Sequence, residues 1–318
     1  MVFNTAVIAY DVNNALSDFQ GTAFTGNFDG NNHIISNLTI EPNDLCDYYI
    51  GFFGYIDNSS ISNLGVIDIN FQSRGSYLGG ICGYNDGGSV TNCHVIGNVI
   101  GKGDLGGICG HNHYGSINNC YTKLSIAGTL YIGGICGHNC FGTIRNSSSK
   151  ALLSSSGYRP QRVGGLCGEN YDGLIIDCCA TGSVYGYDGC FGLGGFCGVN
   201  SGSIINCFST GNIIGDDCSK DLGGLCGYNG GEIIHCGATG DVNGEDDVGG
   251  LCGRNGGFIE NCYATGVVNG YESVGGFCGE SKLPPVKTGG IAGFRLRLSD
   301  FVGYFHPPVV LVVLKSEE

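Results

Sequence analysis

The chain has 318 residues, 61 of them glycine and only 6 proline, with 42% hydrophobic and 13% charged residues. That apolar content excludes a disordered chain, and glycine without a G-X-Y period excludes collagen. A net charge of -14 argues against nucleic acid or an anionic membrane as partner.

In chain order, residues 1–50 read as lead-in coils with an incomplete N-terminal cap. Met1-Val2-Phe3-Asn4 has neither the basic nor the apolar region of a signal peptide. Residues 51–280 form the repeat region. Its phrase is Gly-Gly-(Ile/Leu/Phe)-Cys-Gly, carried eight times with cysteines at Cys82, Cys109, Cys136, Cys167, Cys197, Cys226, Cys252 and Cys278. The steps between them are 27, 27, 31, 30, 29, 26 and 26 residues. A period of that size marks a solenoid.

Within one unit, such as Val248 to Gly270, three short β-like pieces are expected, around Leu251, Ile259 to Tyr263, and Val267. Each ends at Gly or Asn, which reach left-handed conformations cheaply. Runs this short cannot be helices of about ten residues. The predicted fold is all-β: a right-handed parallel β-helix of about ten coils, roughly 26–30 residues each, stacked at ~4.8 Å. Residues 281–318 diverge. Gly289-Gly290-Ile291-Ala292-Gly293 echoes the phrase once, and Pro307 to Leu314 reads as a final strand. The tail is either a cap over the open edge of the last coil or a truncation. No stretch approaches the ~20 apolar residues of a membrane span, so no membrane insertion is expected.

Stacked coils place equivalent residues in columns. One holds the eight phrase cysteines. A second holds Cys93, Cys120, Cys178, Cys207, Cys236 and Cys262, with Ser147 in the Cys136 coil. An asparagine column runs Asn85, Asn112, Asn139, Asn170, Asn200, Asn229 and Asn255. Its side-chain amides are expected to hydrogen-bond up the stack and hold turns. Thr181, Thr210, Thr239 and Thr265 form a fourth column in the later coils.

These phrases resemble the GLUG-motif repeat family, with Cys where the usual phrase has Val or another small apolar residue. Phe24 to Ile40 is similar to the segment that often precedes such repeats, and Gly51-Phe52-Phe53-Gly54 with Ile61-Ser62-Asn63-Leu64 is similar to a degenerate first repeat. The resemblance covers about residues 20 to 280. It implies a setting in bacterial secreted or surface proteins, some of them adhesin-like, and no catalytic residues to carry over.

The chain holds 19 cysteines. As small hydrophobes in apolar slots they read as buried thiol ladders. Vertical disulfides stay open, since the rung spacing lies inside the allowed Cα range. Cys190 and Cys218, in loops of successive coils, are the better covalent pair. The sharpest metal quartet is His111, His113, His138 and Cys140, in one register of adjacent coils, with donors suited to Zn²⁺. The slot of His111 and His138 holds Tyr84, Glu169, Val199, Tyr228 and Arg254 elsewhere, which reads as an exposed position. Asp188, Asp216, Asp217, Asp221, Glu245, Asp246, Asp247 and Glu272 gather into an acidic edge, a solvated face or a Ca²⁺ site. No cofactor is otherwise expected. Tyr84, Tyr114, Tyr121, Tyr131, Tyr171, Tyr187 and Tyr263 are candidate exposed rings for stacking on sugars.

No G-x-S-x-G, H-E-x-x-H or P-loop is present. The expected function is a non-catalytic extracellular module: a spacer or adhesin-like shaft presenting variable loops to glycans, cell surfaces or other copies or domains of the parent protein. Two alternatives stay open. A carbohydrate-active enzyme would need carboxylates from three adjacent coils at one point. An ice- or mineral-binding face would need a flat, regular array of threonines.

Overall fold

Glycine and β-branched residues in short runs build strands too brief to stand alone, so each coil leans on its neighbours for hydrogen bonds. The computed structural model describes residues 2–13, 18–42, 48–155, 161–187 and 189–281. Among them every named element is a strand, and every strand pairing is parallel. The chain winds as a β-solenoid with three lateral sheets.

One coil shows the plan. Gly103–Gly106 lies in an eight-stranded sheet, here called the glycine sheet. Cys109–His113 lies in a nine-stranded cysteine sheet. Ser116–Asn118 and Tyr121–Gly128 lie in a 23-stranded long sheet. Register follows the phrase: Cys109 pairs with Cys82 on one side and Cys136 on the other. Eight strands in one sheet and nine in another make about eight turns, slightly fewer than the ten expected. Residues before the phrase, such as Asp246–Gly249, form a strand that the three-piece reading missed. Earlier residues continue the stack, with Val2–Phe3 on Thr39–Ile40 and Ile8 bridged to Phe53. Cys46, Asp188 and the tail from Lys282 lie outside the described residues.

The core is built of columns. Leu105, Ile132, Val163, Leu193 and Leu222 succeed one another in the glycine sheet, all fully buried. The phrase cysteines from Cys82 to Cys252 are equally buried. Every described cysteine is a free thiol. Most of the buried thiols also answer a polar group. Cys197 Sγ donates to the Val199 carbonyl at 3.2 Å, and Cys207 Sγ to the Ile205 carbonyl at 3.1 Å. Ser147 plays the same part in the second column, donating to the Arg145 carbonyl at 2.8 Å. A valine would fill that space without donating. Burial pushes the Cys197 and Cys226 thiols well above their ordinary range, so they stay protonated donors. Cys190 and Cys218 are not joined: Cys190 is buried in the core, whereas Cys218 is exposed on a left-handed turn with φ 69°.

The asparagine column is a continuous ladder inside the fold. Asn85 Nδ2 donates to Asn112 Oδ1 at 2.7 Å, and the same bond recurs through Asn139, Asn170, Asn200 and Asn229 to Asn255, at 2.7 to 2.9 Å. In the earlier coils each amide also donates to a glycine carbonyl three residues on, as Asn170 does to Gly173 at 3.0 Å. The ladder starts where Ile56 takes the register of Asn85 and ends where Ser281 takes that of Asn255.

The phrase glycines are not the left-handed residues they were expected to be. Left-handed backbone falls on other residues: on Asn119, Asn146, Asn206 and Asn261 after the third strand of the coil, and on Tyr77, Asp104, Tyr131 and Arg162 inside the glycine sheet. The glycines serve close approach instead. A Cβ on Gly165 would stand 2.1 Å from the Gly195 carbonyl oxygen of the next coil.

Candidate functional site

The left-handed residue in each glycine-sheet strand steps out of the pairing, as Asp104 does between Gly103 and Leu105. In the first four of these strands its side chain then meets the outward residue of the following cysteine-sheet strand, seven positions later. Tyr77 meets Tyr84, Asp104 meets His111, Tyr131 meets His138 and Arg162 meets Glu169. Two columns therefore run side by side along one corner of the solenoid. Holding Tyr or Arg left-handed costs about 1 kcal/mol per residue, and such strain tends to gather where a surface is shaped for use.

The corner is half-buried, which corrects the expectation of an exposed slot. The His111 and His138 side chains are 13% and 18% exposed. Tyr55 and Tyr84 stack at 4.9 Å and 9°, and Tyr84 stacks on His111 at 4.7 Å and 5°. At the N-terminal end the columns open into a cleft of about 520 Å³, lined by Asp18, Phe19, Tyr49, Tyr55, Tyr77 and Tyr84. Burial pushes the Tyr49, Tyr55 and Tyr84 phenols upward, so they stay neutral donors. Tyr55 donates to Asp86 at 3.0 Å.

The metal quartet is divided. His111 and His138 come together, with ring centroids 4.6 Å apart. His113 turns instead to Asp86 of the previous coil, 2.9 Å from Nδ1. Cys140 pairs in register with His113 and takes no part in the cluster of ligand atoms. Asp104 does: Asp104, His111 and His138 bring ligand atoms within 4.8 Å of one another. Sequence reasoning missed Asp104 because nothing local marks a left-handed aspartate. The fixed seven-residue spacing to His111 was the available signal.

The family model described as the GLUG motif matches residues 74–100, 160–185, 189–214, 219–243 and 245–269. These coils are GLUG repeats. No curated protein and no solved structure matches the chain. The GLUG matches skip residues 101–159, although those coils pair in the same register. Asp104, His111 and His138 lie in that skipped stretch.

Elsewhere along the GLUG corner, Arg162 Nη1 reaches Glu169 at 2.9 Å and the Tyr131 hydroxyl at 2.5 Å. Burial raises the Glu169 carboxyl, offset by Arg162. Farther on, Arg254 lies 3.2 Å from Asp221 and 4.0 Å from Glu280. Burial pushes Asp221 up to about 7, partly offset by Arg254, and its side chain is fully covered. Asp221 thus leaves the expected acidic edge for the interior. Lys220 bonds Asp246 at 2.6 Å in the exposed part of that edge. Thr181, Thr210 and Thr239 are exposed, but the neighbouring outward column holds Cys179, Phe208 and Gly237, so no flat hydroxyl array is built. Of the candidate rings, Tyr114, Tyr121, Tyr171 and Tyr187 are exposed, whereas Tyr84, Tyr131 and Tyr263 are half-buried.

One pH effect follows. Burial, then the charge of His111, pushes His138 down to about 4 from an ordinary 6.5. As pH falls below 6.5 the unfolded chain takes up a proton that folded His138 refuses until about pH 4. Stability from this residue is therefore present above pH 6.5, lost across that window, and lost no further below it. The shift corresponds to about 3 kcal/mol. The test compares urea unfolding of wild type and His138→Tyr in chelator at pH 7 and pH 4. The variant, which copies the same slot at Tyr84, should lose less stability by about that amount. Equal losses would refute the assignment.

Proposed function

We propose that this GLUG solenoid is a non-catalytic extracellular shaft whose tyrosine cleft holds a saccharide unit, so that the shaft attaches to glycans of a cell surface. The supporting observation is the cleft itself: four tyrosines wall it, with Phe19 and the carboxylate of Asp18 alongside. The faces of Tyr55 and Tyr84 are taken up by stacking on one another, on Phe19 and on His111, so the cleft offers ring edges to the C–H groups of a sugar, and phenols and a carboxylate to its hydroxyls. Parallel in-register coils make a stiff support for such a site. The thiols are compatible with an oxidising exterior because the core columns are covered.

The enzymatic reading finds one cluster, Asp221, Asp247 and Glu280 around Arg254, from three adjacent coils. A carboxyl as fully covered as Asp221 cannot touch a substrate, which favours the non-catalytic reading.

Affinity electrophoresis against a panel of polysaccharides tests the proposal. Wild type should be retarded by at least one acidic or neutral glycan. Tyr84→Ala and Tyr77→Ala should weaken retention by at least tenfold while leaving the circular dichroism unchanged. Retention by no glycan, or equal retention of both variants, would sink the glycan reading and leave a plain spacer.

A further inference from the structure

We propose that Asp104, His111 and His138 form a mononuclear site for a divalent transition metal of the Zn²⁺ class. The inference is independent of any glycan, because the three residues lie beyond the lining of the tyrosine cleft. Each comes from a different strand: Asp104 from Gly103–Gly106, His111 from Cys109–His113, and His138 from Cys136–Cys140 of the next coil. Their ligand atoms already lie within 4.8 Å of one another. Tetrahedral Zn²⁺ with bonds of about 2.0–2.1 Å needs donors roughly 3.3 Å apart, which small side-chain rotations supply.

Three features make this more than proximity. First, His138 Nε2 is buried and has no hydrogen-bond partner, a costly state for an imidazole nitrogen unless something else satisfies it. Its nearest carboxylate oxygen, Glu169 Oε2, is 3.7 Å away. Second, the rings are held in place. His111 is fixed between the Tyr84 ring and the Asp104 carboxylate, 2.7 Å from its Nδ1, and His138 stacks on Tyr131 at 5.1 Å and 8°. Preset rings lose little freedom on binding a metal. Third, the charges suit a cation. Arg162 pairs with Glu169 at 2.9 Å, which leaves Asp104 as the carboxylate at the two imidazoles. Two imidazoles and one carboxylate, with remaining positions open to water or an outside ligand, suit Zn²⁺.

The test is equilibrium dialysis of the full chain against micromolar Zn²⁺, with tetrahedral Co²⁺ absorption as a second readout. Wild type should bind one equivalent more than His138→Tyr and His111→Tyr, and only wild type should show histidine-bound Co²⁺ bands. Both variants copy the residue that Tyr84 and Tyr228 place in this slot, so the fold accepts them. Asp104→Asn should weaken binding by at least tenfold. His113→Gln and Cys140→Ser should bind as wild type, and circular dichroism should be unchanged throughout. Equal zinc content in wild type and His138→Tyr would overturn the site. Loss of binding in Cys140→Ser would overturn it in favour of the quartet read from the sequence.

Discussion

Gly223→Ala should lose at least 3 kcal/mol of stability, seen as a lowered urea midpoint. The added Cβ would stand 2.0 Å from the Cys226 carbonyl oxygen of its own coil, and 2.7 Å from Gly253 N and Leu251 O of the next. None of these is the far end of a flexible side chain. Backbone must move, and it is the backbone that pairs the coils: Phe196 N reaches Leu225 O at 2.9 Å, and Leu225 N reaches Leu251 O at 2.9 Å. The strain of one methyl is therefore passed to two interfaces. The usual account of glycine, freedom to turn left-handed, predicts a smaller effect here, because Gly223 is not in that region.

Asn170→Leu should cost about as much, 3–5 kcal/mol, through a different cause. Asn170 is fully buried. It accepts from Asn139 at 2.8 Å and donates to Asn200 at 2.9 Å and to the Gly173 carbonyl at 3.0 Å. Leucine would leave Asn200 Oδ1 without its ladder donor inside the core, and would also overfill the channel. Asn170→Asp should fail as well, since a carboxylate can accept from Asn139 but cannot donate to Asn200. Position in the ladder should matter. Asn255→Leu strands only one ladder partner, Asn229, so it should cost about half as much in the same urea titration. The fold already shows an apolar residue at the opposite end, where Ile56 takes the ladder register.

Coil length and register were legible because the phrase repeats, and stacking obliges equivalent residues to become neighbours. Cys109 beside Cys136 and Asn112 beside Asn139 follow from counting alone. What the glycines do was not legible. Glycine tolerates both a left-handed turn and a close carbonyl, and only the packed coils distinguish the two. The corner was obscured for a related reason. Asp104, Tyr131 and Arg162 differ in size, charge and polarity, so no residue pattern marks them as one column. They share only a left-handed backbone and a constant distance to the phrase. His111 and His138 were found by type, but their co-ligands were sought two residues along the strand, in His113 and Cys140, whereas the structure brings in Asp104 from across the corner, seven residues before His111. The repeated positions thus carry the fold, and the variable positions at the corner are where the proposed sites lie.

That division is tested most directly by urea unfolding of Gly223→Ala beside Tyr228→Val, five residues apart on one coil. Tyr228 occupies the outward corner slot, where the previous coil already has Val199. The account predicts a loss of at least 3 kcal/mol for the glycine and under about 1 kcal/mol for the tyrosine. Equal losses, or a larger one at Tyr228, would contradict it.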